Sequence, residues 1–104
     1  MLVLDPHDTA NWFEDSYAVI PERMREAIRR YILEGIPTGN FLQAVICNDL
    51  RGAVNYADDD NLPLLKQYVR WFYNIAPANC YGSRAVMLAW IESGGMNGKP
   101  SGDK

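Results

Sequence analysis

The chain holds one imidazole, His7, and two thiols, Cys47 and Cys80, so the side chains that most often carry nucleophilic and metal chemistry are scarce. A Cys–His or Ser–His–Asp arrangement needs a base beside its nucleophile, and one histidine near the start of the chain leaves almost no material for either. The two cysteines lie far apart, outside any CxxC spacing, which supports neither a zinc site nor a redox motif. No carboxylate pair is singled out by spacing. The residues therefore predict neither an enzyme, a metal site nor a cofactor, and they direct attention to binding.

Among groups that could hold a ligand, Asp49 is the most informative. On a helix running on from Phe41, a turn of about 100° per residue places it between Leu42, Val45, Ile46 and Ala53, inside an apolar arc. An unpartnered carboxylate there would cost several kcal/mol, so Asp49 is expected either to lock two helices as an ion pair or cap, or to line a pocket or interface. The loops 35–40 and 79–83 each deliver a helix start, where free N–H groups favour an anion. Thr38, Asn40 and Ser83 are ordinary capping residues there. Tyr81, next to Gly82 and Ser83, adds an aromatic face. Neither loop is a Walker loop or a dinucleotide fingerprint. Arg23, Arg25, Arg29 and Arg30 crowd one segment with Glu22, Glu26 and Glu34. They read as a solvated face of ion pairs or as an Arg patch for a phosphorylated ligand. The expected ligand contacts are thus Arg29, Thr38, Asn40, Asp49, Tyr81, Ser83 and Arg84.

The elements that must position these residues are helices. With 104 residues, 48% hydrophobic and 22% charged, the chain has room for one folded domain. Pro21 opens a helix over 22–34 whose inward side is Met24, Ala27, Ile28, Tyr31 and Ile32, and Gly35 stops it. A second helix is expected from 41 to about 57, with Phe41, Leu42, Val45, Ile46, Leu50 and Ala53 inward and Gly52 packed closely on another backbone. After the acidic turn Asp58-Asp59-Asp60, Asp60 or Asn61 caps a third helix over 62–76, with Pro63 in its first turn. Leu64, Leu65, Tyr68, Val69, Trp71, Phe72 and Ile75 fill one half of its wheel. A fourth runs from 84 to about 93, capped by Ser83 and stopped by Gly94-Gly95, with Trp90 in the core. The fold class is all-α: a compact bundle of about four helices over 20–94, an irregular N-terminal arm over 1–19 and a flexible tail over 95–104.

Trp12, Phe13 and Tyr17 follow no helical period. In so small a domain they are expected to overfill the core and to dock on a neighbour, making the protein a homo-oligomer. No run approaches the roughly 20 apolar residues of a membrane span, and the start lacks the basic region of a secretory signal.

The ordered elements Ile20-Pro21-Glu22-Arg23-Met24, Gly35-Ile36-Pro37, Phe41-Leu42-Gln43-Ala44-Val45 with Asn48-Asp49-Leu50, and Gly82-Ser83 through Trp90 resemble a group of small helical proteins encoded by tailed bacteriophages. The likeness covers residues 20 to about 93. It implies a phage origin and a shared helical core, and no settled activity comes with it. Arg84 departs from the group's pattern, which places proline at that first helical position. A phage origin makes an accessory protein of the host-interaction or counter-defence kind, acting in the host cytoplasm, the expected class.

The first expectation is sequestration of a nucleotide-like ligand at a subunit boundary, with Arg or a helix start on phosphate and an aromatic ring on the base. The second is an inhibitor or adaptor that binds a host protein through the N-terminal aromatics and the acidic turn. A small DNA-contacting regulator working through the Arg-bearing helix is a minor alternative, which the net charge of −3 opposes.

Overall fold

A computed structural model describes residues 5–98. Five α-helices, joined by short 3-10 turns, make up the described chain, and it contains no strand. They are α1 (Glu22–Glu34), α2 (Asn40–Ile46), α3 (Leu50–Tyr56), α4 (Leu65–Asn74) and α5 (Arg84–Ser93). The all-α reading holds, with one helix more than expected.

Helices α1 and α5 have the expected bounds because both ends carry local signals. Pro21 precedes α1, and Gly35 ends it at φ +69°, donating its N–H to the Tyr31 carbonyl at 2.9 Å. Ser83 caps α5 by accepting the Val86 N–H at 3.2 Å, and Gly94 ends it at φ +84°. The two C-terminal ends meet: a Cβ on Gly95 would stand 2.7 Å from the Glu34 and Gly35 nitrogens and the Ile32 carbonyl oxygen. The Trp90 indole closes the same joint by donating to the Tyr31 carbonyl at 2.9 Å. The turn Gly95–Asn97 accordingly packs on α1, with Met96 against the core, which corrects the expectation of a free tail from residue 95. The rest of that expectation, over 99–104, lies outside the described residues, as do residues 1–4 of the proposed arm.

The long second helix is in fact two, α2 and α3, which pack against each other. Asn48 takes a left-handed φ of +64°, a conformation that asparagine tolerates better than most residues, and Asp49 then restarts the helix as its N-cap. The break turns Leu50 outward, to 70% exposure, against the expectation that it lies in the arc. Gly52 faces the Asp49 carboxyl carbon, 2.9 Å from an ideal Cβ, and the Ala44 side chain, rather than a second backbone. The third segment begins as a 3-10 turn, Leu62–Leu64, with Pro63 inside it, before α4. Asp58, not Asp60 or Asn61, supplies the local cap, accepting the N–H groups of Asp60 at 3.1 Å and Asn61 at 2.8 Å. Asn61 is buried instead and accepts the Tyr68 hydroxyl at 2.5 Å.

Tyr31, Tyr68 and Trp71 are fully enclosed at the centre, with Ile20, Ile28, Ile32, Leu42, Ile46 and Met87 around them. Each such side chain contributes about 1.5–3 kcal/mol relative to an exposed one. The N-terminal segment belongs to this core. Two 3-10 turns, Thr9–Phe13 and Asp15–Val19, bring Trp12 and Phe13 onto Trp71, where Phe13 stacks at 4.9 Å between centroids and the Trp71 indole donates to the Trp12 carbonyl at 2.8 Å. Trp12 and Phe13 retain 4% and 3% exposure. They therefore fill a place in the chain's own interior rather than forming an arm, and the surplus of rings that argued for a homo-oligomer disappears. Tyr17 packs at the edge of the same core, with its hydroxyl accepting from Asn74 at 3.3 Å. Among the described residues no buried side-chain nitrogen or oxygen lacks a partner, and no helix is long and apolar enough to cross a membrane.

Candidate functional site

The break at Asn48-Asp49 shapes a concavity. With α2 and α3 no longer collinear, the starts of α2, α3 and α5 converge on one open cleft of about 420 Å³, lined by Asn40, Gln43, Ala44, Cys47, Asp49, Tyr56 and Arg84. That volume falls within the roughly 300–1,000 Å³ of small-molecule sites. The lining is mixed: two amides, a carboxylate, a guanidinium, a phenol and a thiol.

Three of the expected ligand residues meet there. Asn40 begins α2, Asp49 caps α3 and Arg84 begins α5, and all three are exposed. Asp49 is not the buried acid inferred from a continuous helix. It accepts the Gly52 N–H at 3.0 Å, the capping alternative, while remaining open to the cleft. Arg84 makes no ion pair with any described carboxylate. Cys47 is half-buried, with its Sγ 3.6 Å from the Met87 Sδ. Burial raises its thiol above the ordinary range, while Arg84 pulls it back and Asp49 adds to the rise. The thiolate is thereby disfavoured at this position.

The other expected contacts lie elsewhere. Ser83 faces its own helix as the α5 cap, Tyr81 packs its ring on Phe72 at 6.2 Å, and Thr38 is buried, donating to the Gly39 carbonyl at 3.3 Å. Arg29 is taken up by Glu22 at 2.8 Å and Glu26 at 3.6 Å, and its guanidinium lies 5.4 Å from the centroid of Phe13. Arg25 donates to the Ile20 carbonyl at 2.6 Å and to that of Ala18, while Arg23 pairs with Asp58 at 3.0 Å and Arg30 with Glu26 at 3.6 Å. The Arg patch is thus the ion-paired face, with no member left over for a phosphate. Among the described residues no group of three or more His, Cys, Asp or Glu is arranged to hold a metal.

Gln43, Cys47 and Tyr56 were not singled out from the sequence. The signal that could have found them is the Asn-Asp pair inside an apolar run, a helix stop followed by a helix cap, because a break there brings positions 47 and 56 to the same side. No protein-family model, curated protein or solved structure matches the chain.

Proposed function

We propose that the protein acts by binding, holding a small nucleotide-like anion in the cleft between the starts of α2, α3 and α5, and that it is a phage accessory protein which sequesters rather than converts its ligand. The observation that carries this reading is the convergence of Asn40, Asp49 and Arg84, from three helix starts, on one cleft in which the guanidinium has no described acidic partner. Arg84 offers a planar fork to a phosphate, the exposed Tyr56 ring a face for a base, and the Asn40 and Gln43 amides with the Asp49 carboxylate a hydrogen-bonding edge. Asp49 sets a limit on charge: the cleft suits a ligand with one anionic end and a donor-bearing ring better than a dense polyanion.

Thermal unfolding with a panel of nucleoside monophosphates and diphosphates tests it. A ligand at one hundred times its Kd adds about 2.7 kcal/mol of apparent stability. Arg84→Ala and Tyr56→Ala alter exposed side chains and should each abolish the ligand-induced shift while leaving the unliganded midpoint nearly unchanged. No shift from any nucleotide, or full shifts in both variants, would reject the proposal.

A further inference from the structure

A second concavity adjoins the cleft. It lies between α1 and the start of α2, holds about 250 Å³, and shares Asn40 and Tyr56 with the cleft as walls. Met24, Ala27 and Leu42 give it an apolar side, and Arg23, Asp58 and Asn61 a polar one. Arg23 is held by Asp58 at 3.0 Å and by Asp60 at 3.8 Å, so this space lacks the unpaired guanidinium that Arg84 brings to the cleft. An uncharged group belongs there. The volume is below the roughly 300–1,000 Å³ of a whole small-molecule site and takes one ring system of a ligand rather than all of it.

Asn61 sets what that ring must carry. It is 3% exposed, its Oδ1 accepts the Tyr68 hydroxyl at 2.5 Å, and its Nδ2 has no described partner. Among the described residues no enclosed side-chain nitrogen or oxygen lacks a partner, so Nδ2 must reach open space, and the space that Asn61 lines is this pocket. Neighbouring Asp58 already accepts the backbone N–H groups of Asp60 and Asn61 and the Arg23 guanidinium. The buried end of the pocket therefore presents an amide donor whose own acceptor oxygen is occupied.

We infer that this pocket receives the base of the nucleotide-like ligand, and that Asn61 selects a base with a ring carbonyl, uracil or hypoxanthine, over its amino counterpart, cytosine or adenine. The inference rests on the cleft reading, with the phosphate at Arg84 and the base reaching past Asn40 and Tyr56. A carbonyl accepts from the Asn61 Nδ2. An amino group in the same place sets donor against donor and leaves both unpaired.

Calorimetric titration of the full chain with the monophosphates of uridine, cytidine, inosine and adenosine tests it, because each pair exchanges one carbonyl for one amino group. The uridine and inosine nucleotides should bind at least about tenfold tighter than their counterparts. On binding, the Asn61 side-chain amide signals should move in NMR spectra of the unaltered chain. Asn61→Asp keeps an acceptor for Tyr68 and removes the donor, so it should erase the preference. Circular dichroism checks that this variant keeps its fold, and the Asn61 signals of the parent carry the test if it does not. Equal affinities within each pair, a preference for the amino bases, or shifts at Gln43 and Asp49 with Asn61 unmoved would overturn the inference and leave the cleft reading standing. Ribose 5-phosphate, which has no base, separates the other case: if neither it nor any nucleotide binds, the cleft reading fails and this inference with it.

Discussion

The Trp71 indole donates to the backbone carbonyl of Trp12 at 2.8 Å, across 59 positions of chain, while the Trp12 indole donates to the Asp5 carbonyl at 3.1 Å. Two hydrogen bonds in series thus tie the start of the described chain to the middle of α4. Phe13 completes the joint by stacking on Trp71, with the guanidinium groups of Arg25 and Arg29 at 5.8 and 5.4 Å from its centroid. Residues with no helical period of their own are therefore tied into the core by contacts with α1 and α4.

Truncating these rings should accordingly unfold the domain rather than release a neighbour. Phe13→Ala is expected to cost about 3–5 kcal/mol, the usual range for an enclosed aromatic. Urea titration measures it, and the loss should be the same at every protein concentration. A midpoint that falls only on dilution would instead place the ring in an intermolecular contact.

The break between α2 and α3 makes a prediction with opposite signs at adjacent residues. Asp49→Ala removes the cap on the Gly52 N–H and should cost about 1 kcal/mol. Asn48→Gly should be neutral or stabilising, because a left-handed φ costs a residue bearing a Cβ roughly 1–2 kcal/mol. Were 41–57 one helix with Asp49 turned inward, Asp49→Ala would relieve a buried charge and stabilise the fold, and glycine at 48 would destabilise it. Equilibrium unfolding of the two variants separates these outcomes.

These sites also show which parts of the molecule were legible. The wheel of α1, the cap of α5 at Ser83 and the stops at Gly35 and Gly94 could be read from residue types, because hydrophobic period and capping chemistry agree in α1 and capping chemistry alone marks both ends of α5. The Asn48 break was hidden because the residues flanking it continue a helical apolar pattern, and the local conformations of one Asn and one Asp override it. Trp12 and Phe13 sit in 3-10 turns only five residues long, too short to show a period, so contacts with distant Trp71 decide their burial. For the cleft, Asn40, Asp49 and Arg84 were visible singly as helix-start residues. Their convergence depends on the angle between α2 and α3, which no local signal encodes.

Asp58 makes a prediction about acid stability. The Asn61 N–H, then Arg23, hold its carboxyl below the usual aspartate range. A carboxyl lowered by folding stabilises the folded state above its unfolded pKa, and that contribution disappears as pH falls through the lower folded value. The thermal midpoint of the parent chain should therefore exceed that of Asp58→Asn by a constant margin above about pH 5, and the two curves should converge in acid. Because Asp58 and Arg23 are both exposed, added salt should narrow the margin. Curves that run parallel down to the acid limit would show that the hydrogen bonds do not depend on the charge.

The two thiols give a direct readout of both the core and the cleft. Burial pushes the Cys80 thiol up to about 12, and its side chain is fully enclosed, so it reacts only when the fold opens. Cys47 is half-buried on the cleft wall, so a small maleimide should label it in the folded state while Cys80 waits for denaturant. Arg84 favours the Cys47 thiolate, so Arg84→Ala should raise that thiol further and slow its labelling a few-fold at fixed pH, with the Cys80 rate unmoved. A nucleotide bound in the cleft should slow Cys47 as well, by covering it, and this protection should vanish in Tyr56→Ala. Mass spectrometry of the labelled peptides follows both sites at once. Equal rates at the two cysteines would mean that Cys80 is not enclosed, and a Cys47 rate indifferent to Arg84 would separate that guanidinium from the cleft wall.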